Sequence, residues 1–295
     1  MARAPKHKDL ERYLVRHRDD LFEIFTHVGT KAGLLQFEHG STDFVSESYA
    51  QQLLPAIDHD VSDLLETKKS LPDCVMNSRY FCLKQGAKQG SRIMAVSFGV
   101  SAAVPFVTAP LFASQDSVSF AVMAGLTSGT IMSSICGVVG GLVAYREFRT
   151  HYGPFYIPET IVLNQTLPAD DVVGDIAHEL THHYQNDTPL YHNMLSEGHA
   201  RGIQLLVTEK WSPENEAIRY DAMDTAAGEL KRACLHLRDD LQQDFHGFPF
   251  ELYKAYTTDD PRYFLSTATM LTAEHLNGKG VYAAALKGDL SFLDA

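Results

Sequence analysis

The chain has 295 residues, of which 45% are hydrophobic and 21% charged, and this composition excludes a disordered or low-complexity protein. The formal net charge is -12. Residues 1–92 hold 13 basic and 13 acidic residues, which leaves 12 of the 25 basic and 24 of the 37 acidic residues for the rest. An acidic C-terminal part argues against nucleic acid as a partner, because phosphates are bound by cationic side chains.

Residues 1–91 are predicted to form an N-terminal helical region. Apolar residues recur at helical spacing over residues 7–26, which predicts an amphipathic helix. A second stretch with helical periodicity covers residues 44–69. Pro55 stands inside this stretch and is expected to break or kink the helix, because proline lacks the N–H that pairs with the preceding turn.

Residues 92–146 form an almost uncharged segment, in which Asp116 is the only formally charged residue between the flanking arginines. A helix needs about 20 apolar residues to cross a bilayer. Residues 93–115 and 117–145 each reach that length. Length and charge exclusion together predict an α-helical transmembrane hairpin.

The flanks and small residues of this hairpin indicate its topology and packing. Basic residues flank both ends, so the positive-inside rule places both ends in the cytoplasm. Two glycine pairs have the spacing that lets helices approach closely within lipid, Gly125 with Gly129 and Gly137 with Gly141. We therefore expect an integral membrane protein that contacts lipid through the hairpin. The alternative is a pair of core helices buried in a soluble domain.

Residues 147–295 are predicted to form a zincin-like catalytic domain, so the expected fold class is mainly α with a small β element (α+β). The β-branched and aromatic residues 155–164 predict one short edge strand. Asp171 is expected to cap the helix that follows. That helix should end near residues 186–189, and a second should begin about Leu190.

Two further segments complete the predicted domain. Ser212, followed by proline and glutamate, is a typical start for a long helix, which is expected to end near Gln243. Residues 245–264 are rich in aromatic residues, glycine and proline, and predict an irregular segment.

The helix after Asp171 contains His178, Glu179 and His182 in the pattern His-Glu-x-x-His. At 3.6 residues per turn both histidines project from one face, where two neutral imidazoles can ligate one Zn²⁺. Glu179 points partly sideways and can accept a proton from metal-bound water. A helical hairpin with a rise of about 1.5 Å per residue brings Glu197 level with the histidines. Three protein ligands with one open position are the arrangement of a catalytic zinc site.

The His-Glu-Leu-Thr-His sequence at His178–His182, followed by Glu197 and a glycine, resembles the gluzincin zinc peptidases over residues 155–205. The resemblance implies that His178, His182 and Glu197 bind Zn²⁺ and that Glu179 is the general base. It also implies that the strand before the helix aligns the substrate. The hairpin ahead of the site is similar, in layout alone, to the CAAX prenyl proteases and the HtpX-type peptidases.

Several residues near the motif are open alternatives. The alternative candidate metal ligands are three further histidines, His183, His192 and His199. Gly198 is expected to leave room for the two helices to approach closely. Arg201 stands where some gluzincins have an acidic partner for a zinc histidine, and that partner is expected to be Asp171 or Asp175. The residue that stabilises the oxyanion is one of His236, His246, Tyr253, Tyr256 and Arg262.

The sequence thus predicts a membrane-anchored zinc endopeptidase whose catalytic domain faces the cytoplasm and whose substrate is a protein or peptide. Zinc-activated water would attack the peptide bond, and Glu179 would transfer its proton. Residues 161–164 are expected to bind the substrate by β-augmentation. Two alternatives are a catalytically inactive peptidase-like membrane scaffold or adaptor, and a soluble zinc hydrolase with a buried hydrophobic hairpin. No pattern in the sequence indicates an oligomeric state.

Overall fold

The computed structural model of the chain describes residues 4–34, 44–77, 79–108, 130–131, 133–143, 146, 154–165, 167–169, 171–191, 193–211, 217–241 and 260–294. The chain divides into two compact units, one formed by Met1–Val75 with Pro154–Ala295 and the other by Met76–Gly153. The domain boundaries drawn from the sequence at residues 91 and 146 stay predictions.

The described residues form a mainly helical fold with one small sheet, which confirms the predicted α+β class. The helices are α1 His7–Arg16, α2 Arg18–Leu34, α3 Glu47–Leu65, α4 Arg79–Thr108, α5 133–143, α6 Val172–Gln185, α7 Ser196–Trp211, α8 Ala217–His236, α9 Arg238–Leu241, α10 Pro261–Asn277 and α11 Gly280–Leu286. The strands are β1 Asp73–Met76, β2 Phe155–Ile157 and β3 Thr160–Leu163, and a 3-10 turn follows at Ser291–Asp294.

The helix predicted over residues 7–26 is present as two helices, α1 and α2, which meet at His17. The backbone of His17, at φ -103° and ψ 35°, lies outside the helical region and separates them. Four of the five apolar residues of the pattern are nevertheless buried, Leu10, Leu14, Leu21 and Phe25, whereas Phe22 is half-buried.

Pro55 does not break α3, so the break predicted at this residue is wrong. A proline at this position removes the hydrogen bond to the carbonyl of Gln51, four residues earlier. Both Gln51 and Pro55 are exposed. Water can therefore satisfy the carbonyl on the solvent side, while Leu54, Ile57 and Val61 bury the opposite face.

The single strand predicted over residues 155–164 is two strands joined by a turn, so this prediction is wrong in detail. β2 and β3 pair antiparallel, with Tyr156 opposite Ile161. Glu159 in the turn has a positive φ of 63°. The strand order is β1-β3-β2, which puts β3 in the centre of the sheet. Residues 161–164 therefore have no free edge for β-augmentation, because β1 and β2 pair with both sides of β3.

Helix α6 packs against α3 and α7, and α10 packs against α7 and α8. Two glycines allow close approaches in this group. A Cβ on Gly174 would lie 2.9 Å from Thr208, so α6 approaches α7 closely at this residue. A Cβ on Gly198 would lie 2.1 Å from the backbone of Ser266 in α10. Gly198 thus does permit a close approach, but to α10 instead of α6.

Helix α7 begins at Ser196, six residues later than predicted. The side chains of Thr188 and Asn193 accept hydrogen bonds from the backbone N–H groups of Leu190 and Leu195, which stabilise turns in this stretch. Glu197 consequently lies in the first turn of α7. An irregular connection, instead of a regular helical hairpin, returns the chain to the level of the histidines.

The predicted irregular segment ends earlier than Phe264, because α10 already begins at Pro261. Asp260 is the N-cap and accepts a hydrogen bond from the N–H of Arg262, and proline is favourable in the first helical turn. The helix predicted from Ser212 is described from Ala217 as α8, followed by the short α9. Its predicted start lies outside the described residues.

The second compact unit contains α4 and α5, which approach closely at glycines. A Cβ on Gly90 would lie 2.5 Å from the carbonyl oxygen of Gly137, and one on Gly141 would lie 2.9 Å from the carbonyl oxygen of Gly86. The spacing of Gly137 and Gly141 therefore has the predicted packing role, whereas Gly125 and Gly129 lie outside the described residues. None of the described helices has the length and apolar character needed to cross a bilayer, so the transmembrane hairpin gains no support here.

Candidate metal centre

Three of the predicted site residues lie together on two neighbouring helices. His178 and His182 project from α6, and their Nε2 atoms lie 3.2 Å apart. Oε2 of Glu197, from the first turn of α7, lies 3.6 Å from each of these nitrogens. The side chain of Glu197 therefore faces the histidine pair, as the sequence predicted.

These separations fit a single zinc ion. Two ligand atoms about 2.05 Å from Zn²⁺ in tetrahedral geometry are about 3.3 Å apart. The three observed separations lie within about 0.3 Å of this value. Two imidazoles and one carboxylate also form a donor set that suits Zn²⁺. His178, His182 and Glu197 could thus hold the ion without a change of backbone.

The protonation of the three groups is set by burial and by their mutual contacts. Burial lowers the pKa of His178 to about 4, so this imidazole is neutral at pH 7. Burial also lowers the pKa of His182, but the interactions with Glu197, Glu179 and Gln185 together outweigh burial and raise it to about 9. Burial raises the pKa of Glu197, yet its contacts with both histidines hold it well below the usual range. An ionised carboxylate thus faces the space that the two Nε2 atoms share.

Glu179 is buried beside the centre without being one of the three donors. Burial raises the pKa of its carboxyl to about 7. The carboxyl accepts a hydrogen bond from the backbone N–H of Tyr156 in β2. A carboxyl with a pKa near neutrality can both accept and release a proton at physiological pH.

Gln185 is the hydrogen-bond partner of His182, at 2.9 Å between Oε1 and Nδ1. The amide nitrogen of Gln185 contacts Nδ1 of His199 at 3.1 Å and the carbonyl of Ser196 at 2.9 Å. Nε2 of His199 lies 2.9 Å from the carbonyl of Tyr282. A chain of hydrogen bonds thus runs from α11 to the candidate metal ligand.

This series of hydrogen bonds determines which ring nitrogen of His182 carries the proton. The carbonyl of Tyr282 is only an acceptor, so His199 carries its proton on Nε2 and accepts on Nδ1. Burial lowers the pKa of His199 to about 4, which keeps the ring neutral. The Gln185 amide must then donate to His199, which turns its oxygen toward Nδ1 of His182. His182 carries a proton on Nδ1, so in the neutral ring the Nε2 lone pair is available to a metal.

The expectation that Asp171 or Asp175 is the acidic partner is wrong for both candidate histidine ligands. Gln185, instead of either aspartate, bonds Nδ1 of His182. Nδ1 of His178 is buried and has no hydrogen-bond partner in the described part of the chain. The amide of Gln185 thus orients His182, a role that was expected of a carboxylate.

The alternative ligands that the structure describes have other partners. His183 is buried, with Nε2 at 2.8 Å from the carbonyl of Ser70 and Nδ1 at 3.2 Å from the hydroxyl of Tyr156. His199 is committed to Gln185 and Tyr282. Neither belongs to the three-donor group. His192 lies outside the described residues.

Arg201 pairs with Glu229 of α8, at 3.3 Å, and also bonds Gln204. Glu229 is buried and accepts a further hydrogen bond of 2.5 Å from Thr267 of α10. The cation that stands one turn after Glu197 is therefore matched by a carboxylate. Through Glu229, Arg201 therefore links α7 to α8 and α10, and it does not orient either candidate histidine ligand.

Two of the five oxyanion candidates are described. His236 bonds Glu11 of α1 at 2.9 Å, in a separate group of side chains. Arg262 pairs with Asp260 at 2.6 Å and interacts electrostatically with Glu197. Three candidates lie outside the described residues: His246, Tyr253 and Tyr256.

Sequence reasoning missed three residues of the centre. Tyr263, in the first turn of α10, interacts electrostatically with Glu197 and Glu179, and burial raises its pKa. Asp260 followed by Pro261 was the available signal that a helix begins there and carries Tyr263 toward the site. Gln185 lies one turn after His182 and could have been named from helical spacing. The backbone N–H of Tyr156 leaves no signal in the sequence.

In comparisons with known proteins, no family model, no curated protein and no solved structure matches this chain.

Proposed function

We propose that this chain is a zinc-dependent peptidase. The observation that carries the proposal is the group of three donor atoms, spaced for one tetrahedral ion, with the buried carboxyl of Glu179 next to it. Zn²⁺ would be held by His178, His182 and Glu197. The fourth position of the ion would be left for water or substrate, as in catalytic zinc sites.

A zinc ion held by these three residues would supply Lewis-acid chemistry for hydrolysis of a peptide bond. The carboxylate of Glu179 would accept a proton from the attacking water and pass it to the leaving amine. Its raised pKa, near 7, suits both transfers. The N–H of Tyr156 orients the carboxyl, and the amide of Gln185 keeps Nε2 of His182 turned toward the ion.

Tyr263 is the oxyanion donor that we propose. Burial and the nearby carboxylates raise the pKa of its hydroxyl, so the group is protonated at neutral pH and can donate a hydrogen bond. Arg262 is the alternative, because it also interacts with Glu197, but its guanidinium already binds Asp260. A fixed donor aimed at the developing negative charge lowers the barrier of acyl transfer.

Membrane anchoring through residues 92–146 stays part of the proposal. It is supported by the sequence, in which Asp116 is the only charged residue between Arg92 and Arg146, and by exposed apolar side chains along α4 and α5, among them Val96, Val138 and Leu142. Such side chains are favourable in contact with lipid. Membrane fractionation followed by carbonate washing is the test, and release of the chain by the wash would refute anchoring.

The experiment that tests the activity combines zinc analysis with peptide cleavage by the purified protein. We expect one zinc at this centre and metal-dependent cleavage that a chelator abolishes. Glu179→Gln should retain the zinc and lower kcat by at least about 100-fold, because it removes the general base. The matched control is Glu23→Gln on the exposed face of α2, which should leave both readouts unchanged. Full activity of Glu179→Gln would refute the mechanism.

A further inference from the structure

A second group of metal-binding side chains lies in the same compact unit and shares no residue with the candidate centre. His7 and Glu11 are one turn apart on α1, and His236 is the last residue of α8. One donor atom from each lies within 4.8 Å of the other two. We propose that these three side chains bind a divalent transition-metal ion that joins α1 to α8.

The distances place the carboxylate between the two imidazoles. Nε2 of His236 lies 2.9 Å from Oε1 of Glu11, and Nε2 of His7 lies 3.8 Å from the same oxygen. Ligands of a tetrahedral zinc ion are about 3.3 Å apart, so small side-chain rotations of opposite sense bring both separations to that value. The rings of His7 and His236 have centroids 5.6 Å apart, compared with 4.9 Å for His178 and His182.

An unsatisfied nitrogen is a second and independent indication of a ligand. Among the residues that the structure describes, buried Nε2 of His7 has no hydrogen-bond partner, although it faces Glu11. A buried polar atom without a partner is unfavourable, because it has lost its hydrogen bonds to water. A metal ion coordinated by this nitrogen and by Glu11 would remove that penalty without moving either helix.

The chemistry of the group selects the class of ion. Two imidazoles and one carboxylate favour Zn²⁺, Co²⁺ or Ni²⁺ over Ca²⁺ and Mg²⁺, which prefer oxygen ligands. The cleft beside Glu11 is lined by three cationic side chains, Lys8, Arg12 and Arg16, and by Asp240. Because the surrounding charge is mainly positive, the ion would be held by its donor atoms and not by a negative field. His7 and His236 are 39% and 36% exposed, which leaves room for water as the remaining ligand.

An ion at this place would have a structural role. His236 also packs on Phe264, with ring centroids 5.4 Å apart, and Phe264 belongs to α10. The same helix contacts Gly198 through the hydroxyl of Ser266, at 2.8 Å. The ion would thus hold α1, the end of α8 and the N-terminal part of α10 together. Its binding should therefore raise the stability of the folded chain.

Counting bound ions in the full chain tests the second site independently of any peptidase activity. After equilibrium dialysis against Zn²⁺, elemental analysis of a chain with His178→Ala and His182→Ala should still find one zinc. Adding His236→Ala to this double variant should remove the remaining zinc. In the otherwise unchanged protein, His236→Ala should lower the count from two to one. Loss of all zinc on His178→Ala and His182→Ala, or no effect of His236→Ala, would overturn the proposal.

The control is His59→Ala, which removes an exposed histidine that pairs with Asp63 at 3.1 Å on one helix face. In the described residues this pair has no third metal-binding side chain, so the zinc count should not change. Circular dichroism checks that each variant folds. His7→Ala is a second variant that changes α1 alone, and it should also remove one zinc and the rise in Tm that excess Zn²⁺ causes. Retention of the second zinc by both folded variants would refute the site.

Discussion

Nε2 of Gln185 and Nδ1 of His199 lie 3.1 Å apart in the buried region behind the candidate metal centre. Because His199 must accept this hydrogen bond, the amide oxygen of Gln185 faces His182. Gln185, which is not one of the three candidate ligands, thus determines which nitrogen of His182 is available for coordination.

Removing this amide should weaken zinc binding. In Gln185→Leu a side chain of similar size cannot hold Nδ1 of His182, so we expect the zinc Kd to rise by about 10- to 100-fold, the usual effect of losing such a partner. Competition with a chromophoric chelator measures it. Gln52→Leu on the exposed face of α3 is the control. An unchanged Kd in Gln185→Leu would refute the orienting role.

The third ligand is tested by comparing Glu197 with the neighbouring histidines. Glu197→Ala should cost far more zinc affinity than His199→Ala, because the imidazole of His199 is bonded to Gln185 and Tyr282. His192→Ala should have little effect. Glu197→Asp should keep part of the zinc affinity that Glu197→Ala loses, because the shorter side chain does not bring its carboxylate fully to the histidine pair. Zinc lost in His199→Ala but kept in Glu197→Ala would instead indicate a three-histidine site.

Substituting Gly198 should destabilise the fold by overpacking. An alanine Cβ at this position would meet the backbone of Ser266 at 2.1 Å, and backbone atoms cannot rotate away. We expect Gly198→Ala to lower the free energy of unfolding by about 1–3 kcal/mol, measured by urea denaturation. In the control Gly280→Ala, no atom of the described residues lies within 4 Å of the new Cβ, so no such loss is expected. Equal stability of the two variants would contradict the close packing of α7 on α10.

The pH dependence of stability should report on Glu274. Burial raises the pKa of this carboxyl, and the hydrogen bond of 2.7 Å from Tyr282 offsets only part of the effect. The folded chain then keeps a proton that the unfolded chain loses at its ordinary pKa of 4.5. The free energy of unfolding should therefore fall as pH rises from 4.5 to the raised pKa, and should stay lower above it.

Glu274→Gln should flatten this fall, because the amide is neutral at every pH. Urea denaturation at several pH values between about 4 and 8 measures it. The comparison is Glu66→Gln, where the contribution has the opposite sign, since Lys287 lowers the pKa of Glu66. Identical pH profiles of Glu274→Gln and the unmodified chain would show that Glu274 titrates normally.

The oxyanion donor is tested by Tyr263→Phe. Loss of one such donor lowers kcat by about 100- to 1000-fold in comparable sites, and we expect that range with unchanged zinc content. Tyr49→Phe removes an exposed hydroxyl from α3 and should be neutral. If Tyr263→Phe leaves kcat unchanged and Arg262→Ala lowers it, the oxyanion donor is Arg262 instead.

The sequence predicted the shared helix face of His178 and His182 because helical periodicity alone determines it. His178 and His182 share one face of α6, and Val172, Ile176 and Leu180 bury another, as the spacing indicated. The approach of Glu197 to His178 and His182 was also predicted, although the path of the connecting chain between α6 and α7 was not. Side chains of Thr188 and Asn193 turn the connecting chain, and such local hydrogen bonds compete with helix formation in ways that apolar periodicity does not reveal.

Predictions failed where the solvent or the tertiary fold decided the outcome. Pro55 is tolerated because the carbonyl of Gln51, which loses its helical partner, lies on the exposed face of α3, and this depends on which face of the helix is buried. β3 became a central strand because β1, from a distant part of the chain, pairs with it. Local pattern carries no information about such a partner. The hydrogen bonds of Gln185 likewise depend on α7 packing against α6, and the orientation of His199 depends on the carbonyl of Tyr282 in α11.

The hydrogen bond that orients Glu179 is donated by the main chain of residue 156, and main-chain donors do not depend on the side chain. Tyr156→Phe would lose the contact with His183 but keep the donor, whereas Tyr156→Pro would remove it. Nineteen of the twenty amino acids can therefore supply this bond. A changed side chain at this position would therefore leave the orientation of Glu179 intact and alter the contacts that the Tyr156 hydroxyl makes with His183 and with the N–H of Glu159.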